Sequence, residues 1–366
     1  MSSALRLLPL GIFSILALIV SCSHLNPPAR PVSPPGAPSV QAAAPAGQPP
    51  ASAGRPDPKM FVEDMLVGKG LGREKIHALV SDPRVEISPG IITSNLFYSA
   101  PKASAKNPKV MDVSPAYIGK GVAFIAEHAN AFNGARERYK VSPEVITAIL
   151  VIETNLGKYP MKYNVFRVYA SLTSALDTEY LDALLKARGD KYVLTGEVLA
   201  SARKKGAWGL GELVALIQLS DKLGIDPIGI QGSFAGALGP AQFIPTSFVK
   251  FGADGNGDGR VDPFDMDDCI ASVANYLKLG GWKEDAKLEV RRRAIWNYNH
   301  HEVYVNTVMM LYDQLVAAGR EPGVPDEGQA ARAGEAGAEG AAPGSGPAPV
   351  KAEGGSTPVQ ESGGSE

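Results

Sequence analysis

From residue 114 onward, apolar side chains recur three and four positions apart, the spacing of helices that bury one face. Ser114-Pro115-Ala116-Tyr117 opens the first such helix, with Ile118, Val122, Ile125 and Ala129 spaced to form its stripe. Ser142-Pro143-Glu144 opens the next, with serine at the N-cap, proline at the first helical position and an acid in the first turn. That helix is predicted to run to about Leu156 and to stop at Gly157, a glycine in the C′ place. Further helical patterns cover 167–178, 180–187, 193–204, 208–223, 266–279 and 302–318. No strand-like alternation recurs, and no internal repeat stands out. The fold class predicted is mainly α-helical.

Composition narrows where that fold lies. The 366 residues allow one large or two ordinary domains. The 40 glycines and 29 prolines are concentrated rather than spread. Residues 23–58 hold eleven prolines and no aromatic residue, and residues 322–366 hold no leucine, isoleucine, methionine or aromatic residue. Neither stretch can bury enough apolar surface to offset the entropy of ordering, so both are expected to be disordered. The folded domain is placed at 59–321, which contains Trp208, Trp282 and Trp296. A net charge of −2 leaves no basic stripe to neutralise phosphates, which excludes nucleic acid as the expected partner.

The N-terminus reads as a targeting segment. Arg6 precedes an uncharged run, Leu7 to Val20, too short to span a bilayer but suited to a secretory signal. Ser21-Cys22 at its end resembles a bacterial lipoprotein signal, with a plain signal peptide as the alternative. Residues 1–21 would then be removed, leaving Cys22 as a lipid-bearing N-terminus. Residues 22–58 would form a proline-rich tether of up to roughly 110 Å if fully extended. Ser23 is not the aspartate of an inner-membrane retention signal, so the expected location is the outer membrane, facing the periplasm. Cys269 is then left without an intramolecular partner, and it is expected to pack in the core beside Ile270.

Chemistry enters at Glu153. It follows Ile149 by four residues and Leu150 by three, so it shares their apolar face. Burial there would raise its pKa, as a general acid working near neutral pH requires. Pairing with a basic residue, or a place just past the burial edge, would give the same pattern without chemistry.

Three blocks give that residue a context. Ile149-Leu-Val-Ile-Glu153-Thr-Asn-Leu-Gly157 is one, and Gly232-Ser-Phe-Ala-Gly-Ala-Leu-Gly-Pro-Ala-Gln242-Phe-Ile-Pro245 is another. The third is Asn297-Tyr298-Asn299-His300 with Tyr304 following. In order and content they resemble the membrane-bound lytic murein transglycosylase B family, of glycoside hydrolase family 103 type, over roughly 60–318. The resemblance implies a lysozyme-like fold of the α+β superfamily, with Glu153 as the single acid/base. Ser233 and Gln242 would lie in the groove, Asn299 near the reacting sugar, and Tyr298 and Tyr304 along the same subsites. Tyr276 matches a further groove tyrosine, with core packing the alternative for each tyrosine. The reaction implied is cleavage between N-acetylmuramic acid and N-acetylglucosamine in peptidoglycan strands, closing a 1,6-anhydro ring without water.

Residues 254–265 add a cation candidate. Asp254, Asn256, Asp258, Asp262 and Asp265 fall at positions 1, 3, 5, 9 and 12 of an EF-hand-type loop. Gly259 sits at the sharp turn, and Arg260 would offer its backbone carbonyl. A structural Ca2+ is expected, with Na+ as competitor because Asp265 is shorter than the usual glutamate. A metal-free Asx-rich turn is the alternative reading. The resembled family has a similar loop, also ending in aspartate.

Other readings are weaker. A hydrolase acting with water needs a second carboxylate, for which Asp177 and Glu179 are the nearest candidates, and a non-catalytic peptidoglycan tether needs none. His301-Glu302 starts like a zinc helix, but Val305 stands where the second histidine belongs. Arg291-Arg292-Arg293 reads as a solvated face or a contact for acidic stem peptides. The stretch from Trp282 to Tyr298 is shorter than in the best-known relatives, and 83–113 matches no family block.

Overall fold

The computed structural model describes residues 57–97 and 110–320. The signal segment, Cys22, the linker before Asp57 and the tail beyond Arg320 lie outside the described residues. Those described form thirteen helices and one two-stranded antiparallel sheet.

The centre is α6 (Pro143–Thr154), nine of whose twelve residues are buried. Around it pack α4 (Ala116–Glu127), α5 (Ala129–Tyr139), α11 (Met266–Leu279) and α13 (Glu302–Gly319). Ser142 is its N-cap as predicted, but the hydroxyl makes no cap bond, and its backbone N–H goes to Glu284 Oε1 at 2.9 Å. The C-terminus differs from expectation. The helix ends at Thr154, and Asn155 and Leu156 take left-handed φ of 53° and 59° before Gly157 at 77°. The stripe predicted for α4 is also rotated. Gly121 and Phe124 are the buried positions, while Val122 is exposed. A Cβ at Gly121 would lie 2.7 Å from Leu315, so the helix seats against α13 through its smallest residue.

The second half of the core is α7 (Val165–Ser174) against α9 (Gly196–Leu223). α9 is one helix of 28 residues, not the predicted pair with a break near 205–207. Gly206 and Gly209 explain the error. Added Cβ atoms there would lie 2.7 Å from Leu176 and Leu172, so the glycines allow close helix contact instead of ending a helix.

Three helices precede residue 114: α1 (Pro58–Val67), α2 (Arg73–Ser81) and α3 (Pro89–Phe97). Each runs less than three turns, too short for a clear stripe. α1 starts inside the predicted linker, with Asp57 capping Lys59 N–H. α8 (Thr178–Ala187), α10 (Pro245–Phe251) and α12 (Leu288–Tyr298) complete the set. α10 and α12 were not predicted. The strands β1 (Tyr163–Asn164) and β2 (Gln231–Gly232) pair Tyr163 with Gly232 and Asn164 with Gln231. Cys269 is buried and free, as expected. No described helix is long and apolar enough to cross a membrane.

Candidate active site

Glu153 is the penultimate residue of α6, and the segment after β2 closes over it. Two bonds fix that closure. Thr154 Oγ1 donates to the Pro240 carbonyl at 2.8 Å and accepts from Gly157 N–H at 2.9 Å, so the helix end and the glycine-rich segment share one hydroxyl. Leu238 N–H donates to the Phe243 carbonyl at 2.8 Å, folding 238–243 into a tight turn with Gln242 at φ 53°. That backbone region is uncommon for a side chain longer than asparagine and is typical of strain held at functional sites. Gln242 Nε2 donates to the Gly239 carbonyl at 2.9 Å.

A pocket results. Glu153 and Gln242 line it with Tyr276, Tyr298 and Asn299, five of the seven residues predicted for catalysis and substrate. Phe243, Ile244 and Ser247 complete the wall, and sequence reasoning gave none of them a role. The sixth, Tyr304, lies against the acid, its hydroxyl donating to Glu153 Oε1 at 2.7 Å. Ser233, the seventh, does not line this pocket. It is buried, and its hydroxyl accepts from Ala237 N–H at 3.0 Å, shaping the turn. Tyr276 donates to the Asn297 carbonyl and Tyr298 to the Ala241 carbonyl, both at 2.5 Å. Their rings meet edge to face, 5.0 Å between centroids, so Tyr276 is the brace behind Tyr298. Asn299 Oδ1 is buried with no protein partner.

The electrostatics follow from that lining. Burial pushes the Glu153 carboxyl up to about 7, against the Tyr304 hydrogen bond, which favours the charged form. Glu153 is the one carboxylate among the residues lining the pocket. Asp177 caps α8 through Glu179 N–H and Tyr180 N–H, Glu179 is exposed, and neither is among the residues lining the pocket.

Two carboxylates outside the pocket were invisible in the sequence. Glu212 of α9 is buried and accepts from Thr246 N–H at 2.9 Å and Thr246 Oγ1 at 2.7 Å. It caps α10 from a distance, since Ile244 at the N-cap has no side-chain acceptor. Asp268 is buried too, and accepts from Gly255 N–H and Asp262 N–H, both at 2.7 Å. It therefore ties the two halves of the aspartate-rich loop together.

In that loop Asp254 accepts from Gly257 and Gly259 N–H, Asn256 from Asp258 N–H, and Asp258 from Arg260 N–H. Gly259 takes φ 82°, the turn expected of position 6. The all-oxygen donor set and the turn fit a hard cation, and the accepting oxygens of Asp254, Asn256 and Asp258 each keep a second lone-pair direction. Against this, Asp265 Oδ1 is engaged at the start of α11 by Asp267 and Asp268 N–H. Among the described residues no three acidic, histidine or cysteine side chains are gathered at metal-holding spacing.

The basic run is not a solvated face throughout. The Arg291 guanidinium lies 6.0 Å from the Trp282 ring centroid and 5.8 Å from that of Tyr312, and Arg292 pairs with Glu302 at 2.6 Å.

Comparison with known proteins fits this geometry. Membrane-bound lytic murein transglycosylase B of Escherichia coli (strain K12) is 27% identical over 242 residues. The match covers 63% of this chain and 59% of that protein, so the chain spans about three-fifths of the curated relative's length. The soluble lytic transglycosylase SltB1 of Pseudomonas aeruginosa superposes with a TM-score of 0.57 at 21% identity, covering 72% of this chain and 99% of that one. The E. coli lytic transglycosylase SLT35 in complex with calcium gives 0.54 at 20%, covering 72% and 93%. At these identities the two structures establish the lysozyme-like transglycosylase fold alone. The sequence family described as Transglycosylase SLT domain matches residues 57–293, well over half the chain, and it is to this family that the chain belongs.

Proposed function

We propose that the chain is a peptidoglycan lytic transglycosylase with Glu153 as its single acid/base. The observation that carries this reading is one carboxylate, held up to about 7, in a pocket that offers no second one. Protonated Glu153 donates to the glycosidic oxygen linking N-acetylmuramic acid to N-acetylglucosamine, and the bond from that oxygen to C1 breaks. The muramoyl C6 hydroxyl then attacks C1 and returns its proton to the Glu153 carboxylate. The acid is regenerated, the product is a 1,6-anhydro sugar, and no water is consumed. Asn299 Oδ1, with no protein partner, would accept from the sugar, while Gln242 and Tyr298 would hold the walls.

The test is digestion of purified peptidoglycan with mass spectrometry of the products. Anhydromuropeptides support the proposal, reducing-end products heavier by one water make the enzyme a hydrolase, and binding without products leaves a tether. The pH dependence is specific. Activity should fall as pH rises through about 7, because the general acid is lost. Tyr304→Phe removes a bond that favours the carboxylate, so this falling limb should move to higher pH, read from kcat against pH.

The localisation and cation readings belong here as well. A lipid on Cys22 and the 22–58 tether would hold the domain at the outer membrane facing the periplasm, a reading supported by the membrane-bound relative. Metabolic labelling with a fatty acid analogue, lost in Cys22→Ala, checks it. Ca2+ is proposed at Asp254, Asn256, Asp258, the Arg260 carbonyl, Asp262 and Asp265, as a structural ion with Na+ the weaker competitor. The neighbour in complex with calcium supports this assignment. At a hundred times its Kd, the ion should add about 2.7 kcal/mol of stability. Thermal melts with and without Ca2+ should show a gain of several degrees that Asp258→Ala removes.

A further inference from the structure

Near the Glu153 pocket, one exposed and one half-buried aromatic ring have no role in the chemistry above. Tyr163 of β1 and Phe234, two residues beyond β2, meet edge to face, centroids 5.5 Å apart and planes at 80°. Tyr163 is 42% exposed and Phe234 partly so. The pleat explains the direction: Asn164 turns inward, where its Oδ1 caps α7 at Arg167 N–H, so Tyr163 must turn outward. It does not explain the residue. Leaving part of a ring of that size in water forgoes some of the burial an apolar side chain would otherwise gain, and a polar side chain would serve the strand equally well.

The pair is continuous with the pocket. Gln242, which lines it, donates from Nε2 to Met161 Sδ at 3.5 Å, two residues before Tyr163. Gly232 pairs with Tyr163, and Ser233 joins Gly232 to Phe234. Glu153 and Gln242 thus share one pocket wall, Gln242 touches Met161, and a single residue of chain separates Met161 from Tyr163.

We propose that Tyr163 and Phe234 form a stacking platform for a saccharide ring of the glycan strand, outside the sugars held at Glu153. The inference rests on the transglycosylase reading. A pyranose presents a face of C–H bonds, apolar and slightly positive, which complements the negative face of an aromatic ring. A polymeric strand lying in the groove would carry such a face past the platform, whereas a short fragment centred on Glu153 would not reach it.

The experiment measures kcat/KM of the full chain on long glycan strands and on a tetrasaccharide fragment, for wild type, Tyr163→Ala and Tyr163→Phe. By analogy with base–aromatic stacking, removing the ring is expected to cost a factor of about ten. Tyr163→Ala should lose about tenfold on long strands, mostly in KM, and several times less on the tetrasaccharide, and Tyr163→Phe should restore the difference. Equal losses on both substrates, or none on either, would overturn the platform, as would a concentration-dependent dimer that Tyr163→Ala dissolves. If wild type releases no anhydro product from either substrate, the transglycosylase reading fails instead. Co-sedimentation of wild type and Tyr163→Ala with intact sacculi then decides the platform separately, equal retention counting against it.

Discussion

Glu153→Gln should lower the release of anhydromuropeptides by about 10³-fold or more, since a positioned general acid/base contributes roughly 10²–10⁴ and here one residue serves both steps. Glutamine keeps the shape and can still accept from Tyr304, so the fold should survive. The variant should even gain stability above neutral pH. The Glu153 carboxyl is raised from an ordinary value of 4.5 to about 7, so the folded chain holds its proton more tightly than the unfolded one. Stability therefore declines as pH rises between those values and stays at the lower level above 7. Glutamine removes the penalty, which is worth about 3 kcal/mol. Melts at pH 8 should place Glu153→Gln several degrees above wild type, and melts at pH 4 should place the two together. Lost activity with raised melting at pH 8 would be the signature of an acid held in the pocket at the fold's expense.

Gly239→Ala should have the largest effect on folding of any single methyl group in the turn. Gly239 sits at φ 58°, and a Cβ there would lie 1.7 Å from the Pro263 carbonyl oxygen, with the carbonyl carbon at 2.8 Å. Both obstacles are backbone, so no rotamer relieves them. The turn would have to move away from 263, taking Gln242 and the Thr154–Pro240 bond with it. A loss of about 4 kcal/mol or more is expected, in the exceptional range for point substitutions. Ala237→Gly, two residues earlier and without that contact, should cost far less. Denaturant melts of the two variants separate the clash from a general intolerance of the segment.

The centre of the molecule was largely legible, because α6 carries a nearly unbroken apolar run and three blocks surround its acid. Glu153, Gln242, Tyr298 and Asn299 were read from sequence, and the structure brings them to one pocket. What escaped depends on partners far along the chain. Glu212 and Asp268 are ordinary acidic residues in sequence, and only their bonds to Thr246 and Gly255, 34 and 13 residues away, give them meaning, while Ser247 acquires its place only when the pocket closes. Gly206 and Gly209 carry a signal that local rules invert, since a glycine that lets α7 approach looks the same as one that ends α9. The rotated face of α4 has a related cause, because a buried glycine scores as polar punctuation rather than as contact. Short helices such as α2, with Ile76 and Val80 as its buried pair, offer too few positions for any period to be read.

Asp268 has a consequence for how a cation would be felt. Its carboxylate joins Gly255 and Asp262, so the loop's two halves are clasped by a covalent neighbour on α11 and not by whatever occupies the middle. The ordering entropy of the loop is settled when the helix docks. A cation would meet a rigid receptor: its affinity would be spent on coordination, little of it on folding the loop, and its arrival would leave helix content unchanged. Asp268→Asn, by contrast, should turn the same loop into one that must be ordered by its ligand, weakening affinity and coupling binding to local folding.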